Sequence, residues 1–362
     1  MQNIRAEVVL PAKDVRDDIP FFTKELGFRL DEIYPADDPR VVVLSGYGLR
    51  LRLDAGLEAA PGVIRILADD PILIAGGKTE LLAPSGNRVE IAPLAPPVVM
   101  PDTQHDFVVR RLADQAPWII GRAGMHYRDL IPSRLGGSII ASHIRIPDGG
   151  PVPDMVHYHS VGFQLIFCYK GWVDLVYEDQ GPPFRLHAGN CVIQPPEIRH
   201  RVLYASDNIE VIEIGVPAEH VTTIDHTMEL PTQTHRPERE FGGQSFVHHT
   251  ADRAVWAPHG IPGFESRDTQ VAHHTKDAAG VHVLRRGQGA PVWTRHDCDI
   301  HFSFVMAGGF TLEGRGRDPV RLSAGDCFVI PPGVATRYAD PSQDIELLEV
   351  TLPGRVAIDV LG

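Results

Sequence analysis

Residues 186–196 read LHAGNCVIQPP, and residues 322–332 read LSAGDCFVIPP. The two stretches lie 136 residues apart and share a Leu, an Ala-Gly pair, a Cys and a Pro pair in register. Upstream, His159 and Gly171 recur as His296 and Gly308 at a spacing of 137, so a single residue separates the two registers. A match held at a long fixed offset marks a duplicated module. From about residue 136 onward the chain consists of short β-branched runs punctuated by Gly and Pro, with almost no helical period. That texture predicts sandwich or barrel structure, hence two copies of one β module.

Working outward, the chain of 362 residues suggests two or three domains. Its 34 Gly and 31 Pro show no collagen-like period and fit many short strands joined by tight turns. The net charge of −13 argues against nucleic acid or an anionic membrane as partner. Four cysteines, Cys168, Cys191, Cys298 and Cys327, are too few and too scattered for a disulfide scaffold and read as buried thiols. Arg5, Glu7, Lys13 and Asp14 interrupt any apolar N-terminal leader, and no run approaches membrane-spanning length. A cytoplasmic location is expected.

Residues 1–95 read as a small α+β unit. Strands are expected at 6–10, 28–34, 40–45, 48–53 and 88–92. A helix over 14–26 is capped by Asp14 and stopped by Gly27. A Pro-rich stretch opens a linker at 96–135. The first barrel is expected at 136–228, a second linker at 229–275, and the second barrel at 276–362.

The chemistry concentrates in VHYHSVGFQLIFCYKG, residues 156–171. His157 and His159 stand two apart on an expected strand, so both imidazoles face one way and Tyr158 the other. His200 follows a Pro-rich turn about forty residues on. Three neutral imidazoles converging inside a barrel suit a divalent first-row metal. Alternation places Ile166 and Cys168 on the inward face with Gln164, and Val202 and Tyr204 on that of His200. Tyr204 is then placed to hydrogen-bond a bound ligand, with Gln194 or Arg199 at the mouth. His143 and Arg145, on the strand before the motif, are candidates for binding a carboxylate or enolate oxygen.

These residues resemble the cupin superfamily. Its first motif is matched by His157, His159, Gln164 and Gly171, and its second by Gly189, Pro195, Glu197 and His200. The resemblance covers about residues 136–355 and implies two double-stranded β-helix barrels, a bicupin. It further implies a metal held by His157, His159, Gln164 and His200. Gln164 stands where the family has Glu, and Glu197 where it has Gly. An amide is a weaker, neutral oxygen ligand and no proton acceptor. The expected function is therefore a non-haem Fe(II) dioxygenase acting through a three-His centre on a small oxygenated organic molecule that chelates the metal itself. Gln164 and Tyr204 are its expected catalytic residues. Zn, Ni, Mn or Cu are alternative metals. A metal-dependent isomerase, lyase or hydrolase, or a non-catalytic binder, are alternative functions. Expected partners are the small-molecule substrate, O₂ and a second copy of the chain in a homodimer.

In the second copy Thr294 and His296 fall on the His-x-His positions, His301 on the Glu position and Thr336 on the last His. Such a set is poor in ligands, and a structural barrel is expected. The N-terminal texts EVVLPAKDVRDDIPFFTKELGF and PSGNRVEI resemble the glyoxalase/extradiol-dioxygenase, or vicinal oxygen chelate, superfamily. Glu7 and Glu90 fall where such proteins often place metal ligands. The second half of this unit is too short for the full pattern, so a structural, dimer-forming or ligand-binding role is expected. The doublets His248-His249 and His273-His274 would point to opposite faces if extended, and are read as solvated.

Overall fold

The computed structural model describes residues 4–114 and 117–361. The chain forms two compact units, 1–97 and 98–362. In the first, Asp14 caps the helix Val15–Pro20 by accepting from the Arg16 amide, and a wider-wound turn, Phe21–Glu25, carries the helix on. Phe22, Leu26 and Val15 on its apolar face are buried. They pack on a four-stranded sheet ordered Val8–Pro11, Leu49–Asp54, Val41–Gly46, Arg29–Tyr34, whose first pair is parallel. A three-stranded sheet of Val63–Ala68, Arg88–Pro93 and Glu80–Leu82 completes this unit. Short single turns stand between its strands where a helix would otherwise cross over.

The second unit contains two β barrels, each made of two facing sheets. In the first barrel a seven-stranded sheet runs Val247–His249, Cys191–Ile193, Phe163–Lys170, Ile209–Val216, Ile140–Ile146, His126–Asp129, Ile119–Ile120. It faces a six-stranded sheet that includes Phe184–His187, Trp172–Tyr177, His200–Ala205, His157–His159 and Thr222–Ile224. The second barrel repeats this plan. Its seven strands run Trp256–Pro258, Phe264–Asp268, Gly280–Arg286, Glu346–Leu352, Ile300–Ala307, Cys327–Ile330, Val108–Arg110. They face Val320–Ser323, Gly309–Gly314, Thr336–Ala339, Thr294–His296 and Ile358–Val360.

Two expectations need correction. The stretches 96–135 and 229–275 are not linkers but parts of the barrels. Val108–Arg110, which precedes the first barrel, pairs with Cys327–Ile330 of the second. Val247–His249, which precedes the second barrel, pairs with Cys191–Ile193 of the first. Each barrel thus closes an open sheet edge with a strand from ahead of the other. Strands of two to five residues carry too little alternation to be recognised before their partners are known.

Between the barrels lies one shared core. Phe163, Leu165 and Phe167 of the first meet Phe302, Phe304 and Val350 of the second, all essentially without solvent exposure. Cys191 and Cys327, equivalent in the repeat, both pack here. All four cysteines are buried and unbonded. Burial pushes the Cys168, Cys191 and Cys298 thiols up to about 12, which leaves them unreactive.

Candidate metal centre

His157 and His200 are cross-strand partners, and His159 lies two residues along, so period-two alternation brings three imidazoles to one inner face. The three are buried, and their ligand nitrogens lie within 4.8 Å of one another. Among the described residues this is the one such group of His, Cys, Asp or Glu. Each ring is fixed from behind. Nδ1 of His157 donates to the Met155 carbonyl (2.8 Å) and Nδ1 of His200 to the Ile198 carbonyl (2.9 Å). Nδ1 of His159 is 2.9 Å from Thr222 Oγ1. These bonds select the tautomer that leaves Nε2 free to face inward. Tyr177 stacks on His200 with ring centres 5.5 Å apart, and its hydroxyl accepts from Gln194 at 2.9 Å.

Electrostatics favour the neutral rings a metal requires. Burial is the main cause that lowers all three histidines, holding His159 at about 2 and His200 well below its ordinary value. Gln164 is buried on the strand Phe163–Lys170, and its backbone carbonyl accepts from the Gln194 amide at 2.9 Å. Its Nε2 donates to Glu213 Oε1 at 2.6 Å, which leaves Gln164 Oε1 buried without a partner. His157 Nε2 is likewise buried without a partner. Two unpaired lone-pair donors in a three-imidazole cluster are costly unless something accepts them. A divalent cation fits the three His nitrogens of this group.

Glu213 escaped the sequence reading. In IEVIEIGV, residues 209–216, alternation puts it on one face with Val211 and Gly215, a carboxylate inside an apolar strand. Its pairing with Gln164 is a tertiary contact. Burial raises its pKa, opposed by the bond from Gln164. His220 was also missed. Its Nδ1 donates to the Pro217 carbonyl (3.0 Å), and its ring centre lies 5.5 Å from that of His159. A Cβ on Gly215 would fall 2.9 Å from His220 Cε1, so only glycine leaves room for this ring. Arg122 lines the same cavity and forms an ion pair with the buried carboxylate of Asp154. That carboxylate also accepts from the Val202 amide at 2.9 Å.

The cavity holding these groups measures about 500 Å³. Ile166, Val202 and Gln194 line it. Tyr204 does not, and its expected catalytic role is corrected. Asp174 pairs with Tyr204 but Leu175 with Val202, so Leu203 is an extra residue, a bulge that reverses alternation beyond it. Tyr204 consequently faces outward, 44% exposed, and stacks on Trp172. Arg199 is drawn away to Asp225 (3.3 Å) and covers the Tyr158 ring. His143 points to the opposite side of its strand from Ser142 and Ile144. There it bonds Glu210 at 2.7 Å and packs against Phe304. Arg145 bonds Asn208.

In the second barrel Thr294 and Thr336 pair as His157 and His200 do in the first. His296 is satisfied on both sides, by the Ile330 carbonyl (3.0 Å) and Cys298 Sγ (3.2 Å). Glu349 sits across from Ser303 as Glu213 does from Ile166, the same register one repeat on. Here histidines close on the carboxylate instead. His301 Nε2 is 2.9 Å from one oxygen, and His259 Nε2 3.2 Å from the other. In this barrel the carboxylate is thus held by histidines, not by an amide.

No family model matches the chain, and no curated protein matches it. Its structure is similar to that of the oxalate decarboxylase of Bacillus subtilis. The form determined at pH 4.6 superimposes with a TM-score of 0.51 and 14% identity, over 72% of this chain and 81% of that one. A structure from work on the Mn(II) centres of the same Bacillus subtilis enzyme gives 0.52 and 12%, over 72% and 82%. The fold is accordingly that of a bicupin, mainly β, with two double-stranded barrels behind an α+β unit. Among the described residues no helix is long and apolar enough to cross a membrane.

Proposed function

We propose that this chain is a metal-dependent lyase that splits a carbon–carbon bond one carbon removed from a metal-chelating carbonyl, with its metal centre in the first barrel. The observation that carries this reading is the Gln164–Glu213 pair beside the three-His cluster. It places a carboxyl group, outside the ligand set, in the wall of the reaction cavity. His157, His159 and His200, with Gln164 as the fourth ligand, would hold the metal, which would supply Lewis acidity at a substrate oxygen. Gln164 orients Glu213 through its amide N–H. The bond that breaks lies one carbon beyond the chelated carbonyl, so its electron pair is taken up as the enolate of the retained fragment while the other fragment leaves as CO₂ or a carbonyl compound, and Glu213 delivers a proton to the enolate carbon. Solvent restores the proton after the products leave. Aliphatic walls keep water from the carbon before Glu213 reaches it.

The Fe(II) dioxygenase expected from sequence would use the same histidines. The lyase reading is better supported because oxygen insertion has no need of a proton carrier at Glu213, and because the similar structures are of a decarboxylase, one described with Mn(II) centres. The test is elemental analysis of protein purified without added metal, followed by assay of 2-oxo and 2-hydroxy acids with and without air. Mn, Zn or Ni with turnover in the absence of O₂ is the expected result. Iron with stoichiometric O₂ uptake would replace the lyase with a dioxygenase. His200→Ala should lower metal affinity at least tenfold, and unchanged metal content would remove the site.

For the N-terminal unit we propose a reduced vicinal oxygen chelate module in a structural role. Its strand order, with the first strand parallel to the fourth after a helix, supports this. Glu7 is paired with Arg50 (2.6 Å) and Glu90 with Arg88 (2.7 Å), which argues against either as a metal ligand.

A further inference from the structure

The cross-strand register sorts the interior of the first barrel into rows. The row at the histidines holds Gln164 opposite Gly215, with His157 and His200 paired on the facing sheet. The next row sets Ser142, Glu213 and Ile166 side by side. Beyond it the inward pairs of these strands are aliphatic, with Tyr127 beside Ile144 and Arg122 of the same lining held by Asp154. Ile144 pairs with Val211 and Ile146 with Ile209, while Leu175 pairs with Val202 on the opposite sheet and Val173 follows one step on. All seven of these aliphatic side chains line the 500 Å³ cavity that also reaches the three histidines.

A cavity of this size would hold on the order of 17 waters at about 30 Å³ each. Water against an aliphatic wall is readily displaced by apolar groups and poorly by ions, which lose hydration there and gain no partner. A two-carbon dianion would fill only the polar rows and leave the aliphatic ones wet. We infer that the substrate of this centre is a chelating acid, such as a 2-oxo acid, whose carboxylate and neighbouring oxygen sit at the histidine row while an apolar body of several carbons fills the Ile144–Val211–Leu175 rows. This rests on the three-His centre for the position of the head group. The tail assignment rests on the rows alone, and oxalate is excluded as the natural substrate.

Binding, measured by calorimetry, separates the two parts. The probes are pyruvate, 2-oxobutanoate, 2-oxopentanoate and 2-oxo-4-methylpentanoate, with oxalate as the polar control. The series is run on Zn(II)-loaded protein and again on metal-free protein. Affinity should rise up to about fourfold per added methylene in both states, and on metal-free protein oxalate should bind no tighter than pyruvate. Val211→Phe should flatten the gradient without changing zinc stoichiometry. Leu175→Ala, which opens space, should extend the gradient to longer chains. A flat series, or oxalate as the tightest ligand of the metal-free protein, overturns the inference and leaves the lyase reading intact. Failure to bind zinc while the gradient persists overturns the metal centre and leaves the apolar tail site standing.

Discussion

Gln164 Nε2 and Glu213 Oε1 lie 2.6 Å apart in the barrel wall, one member of the pair neutral and the other acidic. This arrangement explains why a carboxylate is not found at 164. Two buried carboxylates in hydrogen-bonding contact cannot both ionise, and one must hold a proton or expel the other. Gln164→Glu is therefore expected to lower stability by about 1–3 kcal/mol in urea denaturation at neutral pH. The exchanged pair Gln164→Glu/Glu213→Gln should recover most of the loss. An undisturbed single variant would show that the two groups do not depend on each other. The histidines at 157, 159 and 200 were legible from residue spacing, and Gln164 only from the resemblance to the cupin motif. Glu213 and His220 were not, because one of two acids in an apolar strand and a His on a loop acquire meaning only from what lies across from them. Tyr204 shows the reverse error, since strict alternation is a local rule and one bulge at Leu203 suspends it.

At the level of elements, each motif glycine does a definable job. Gly308 turns between Ile300–Ala307 and Gly309–Gly314 with φ of 64°, and a Cβ there would lie 2.3 Å from Ser342 Oγ and 2.8 Å from the Ile345 nitrogen. Gly308→Ala is expected to cost about 2 kcal/mol or more, from the left-handed backbone and the close approach together. Metal loading of the first barrel should be unchanged in the protein that remains folded. The strand Glu346–Leu352 supports a second prediction through Glu349. Burial works against charging His259, yet the adjacent Glu349 carboxylate holds its pKa above the ordinary 6.5. Burial likewise works against Glu349, and His259 and His301 hold it well below 4.5. His282 approaches the same oxygen at 3.8 Å. Stability from His259 is complete below 6.5 and lost as pH rises through its raised pKa. Stability from Glu349 is present above 4.5 and lost as pH falls through its depressed one. The melting temperature should fall between pH 6 and 9, and Glu349→Gln should flatten that slope. Parallel slopes in the two proteins would show that the pair is not responsible.

For the whole molecule, the shared core makes the barrels energetically one body. Phe302 is fully buried among residues of both barrels. Phe302→Ala should cost about 3–5 kcal/mol. Because the core is shared, the first barrel should lose its metal in the same transition in which the second unfolds, monitored by a metallochromic dye alongside circular dichroism. Two separated transitions would show independent barrels. The strands exchanged between barrels, Val108–Arg110 and Val247–His249, act in the same direction.

Sequence alone determined the duplication, the all-β texture of each copy and the three histidines with their neighbouring amide, because these depend on residue type at short or fixed spacing. It also determined that the second copy had lost its ligand set. Tertiary structure decided what surrounds the histidines: the carboxyl of Glu213, the outward turn of Tyr204, the strand exchange that turned supposed linkers into sheet edges, and the aliphatic rows below the centre. Each of these is a relation between segments far apart in the chain. Cross-strand register and packing set such relations, and local spacing does not encode them.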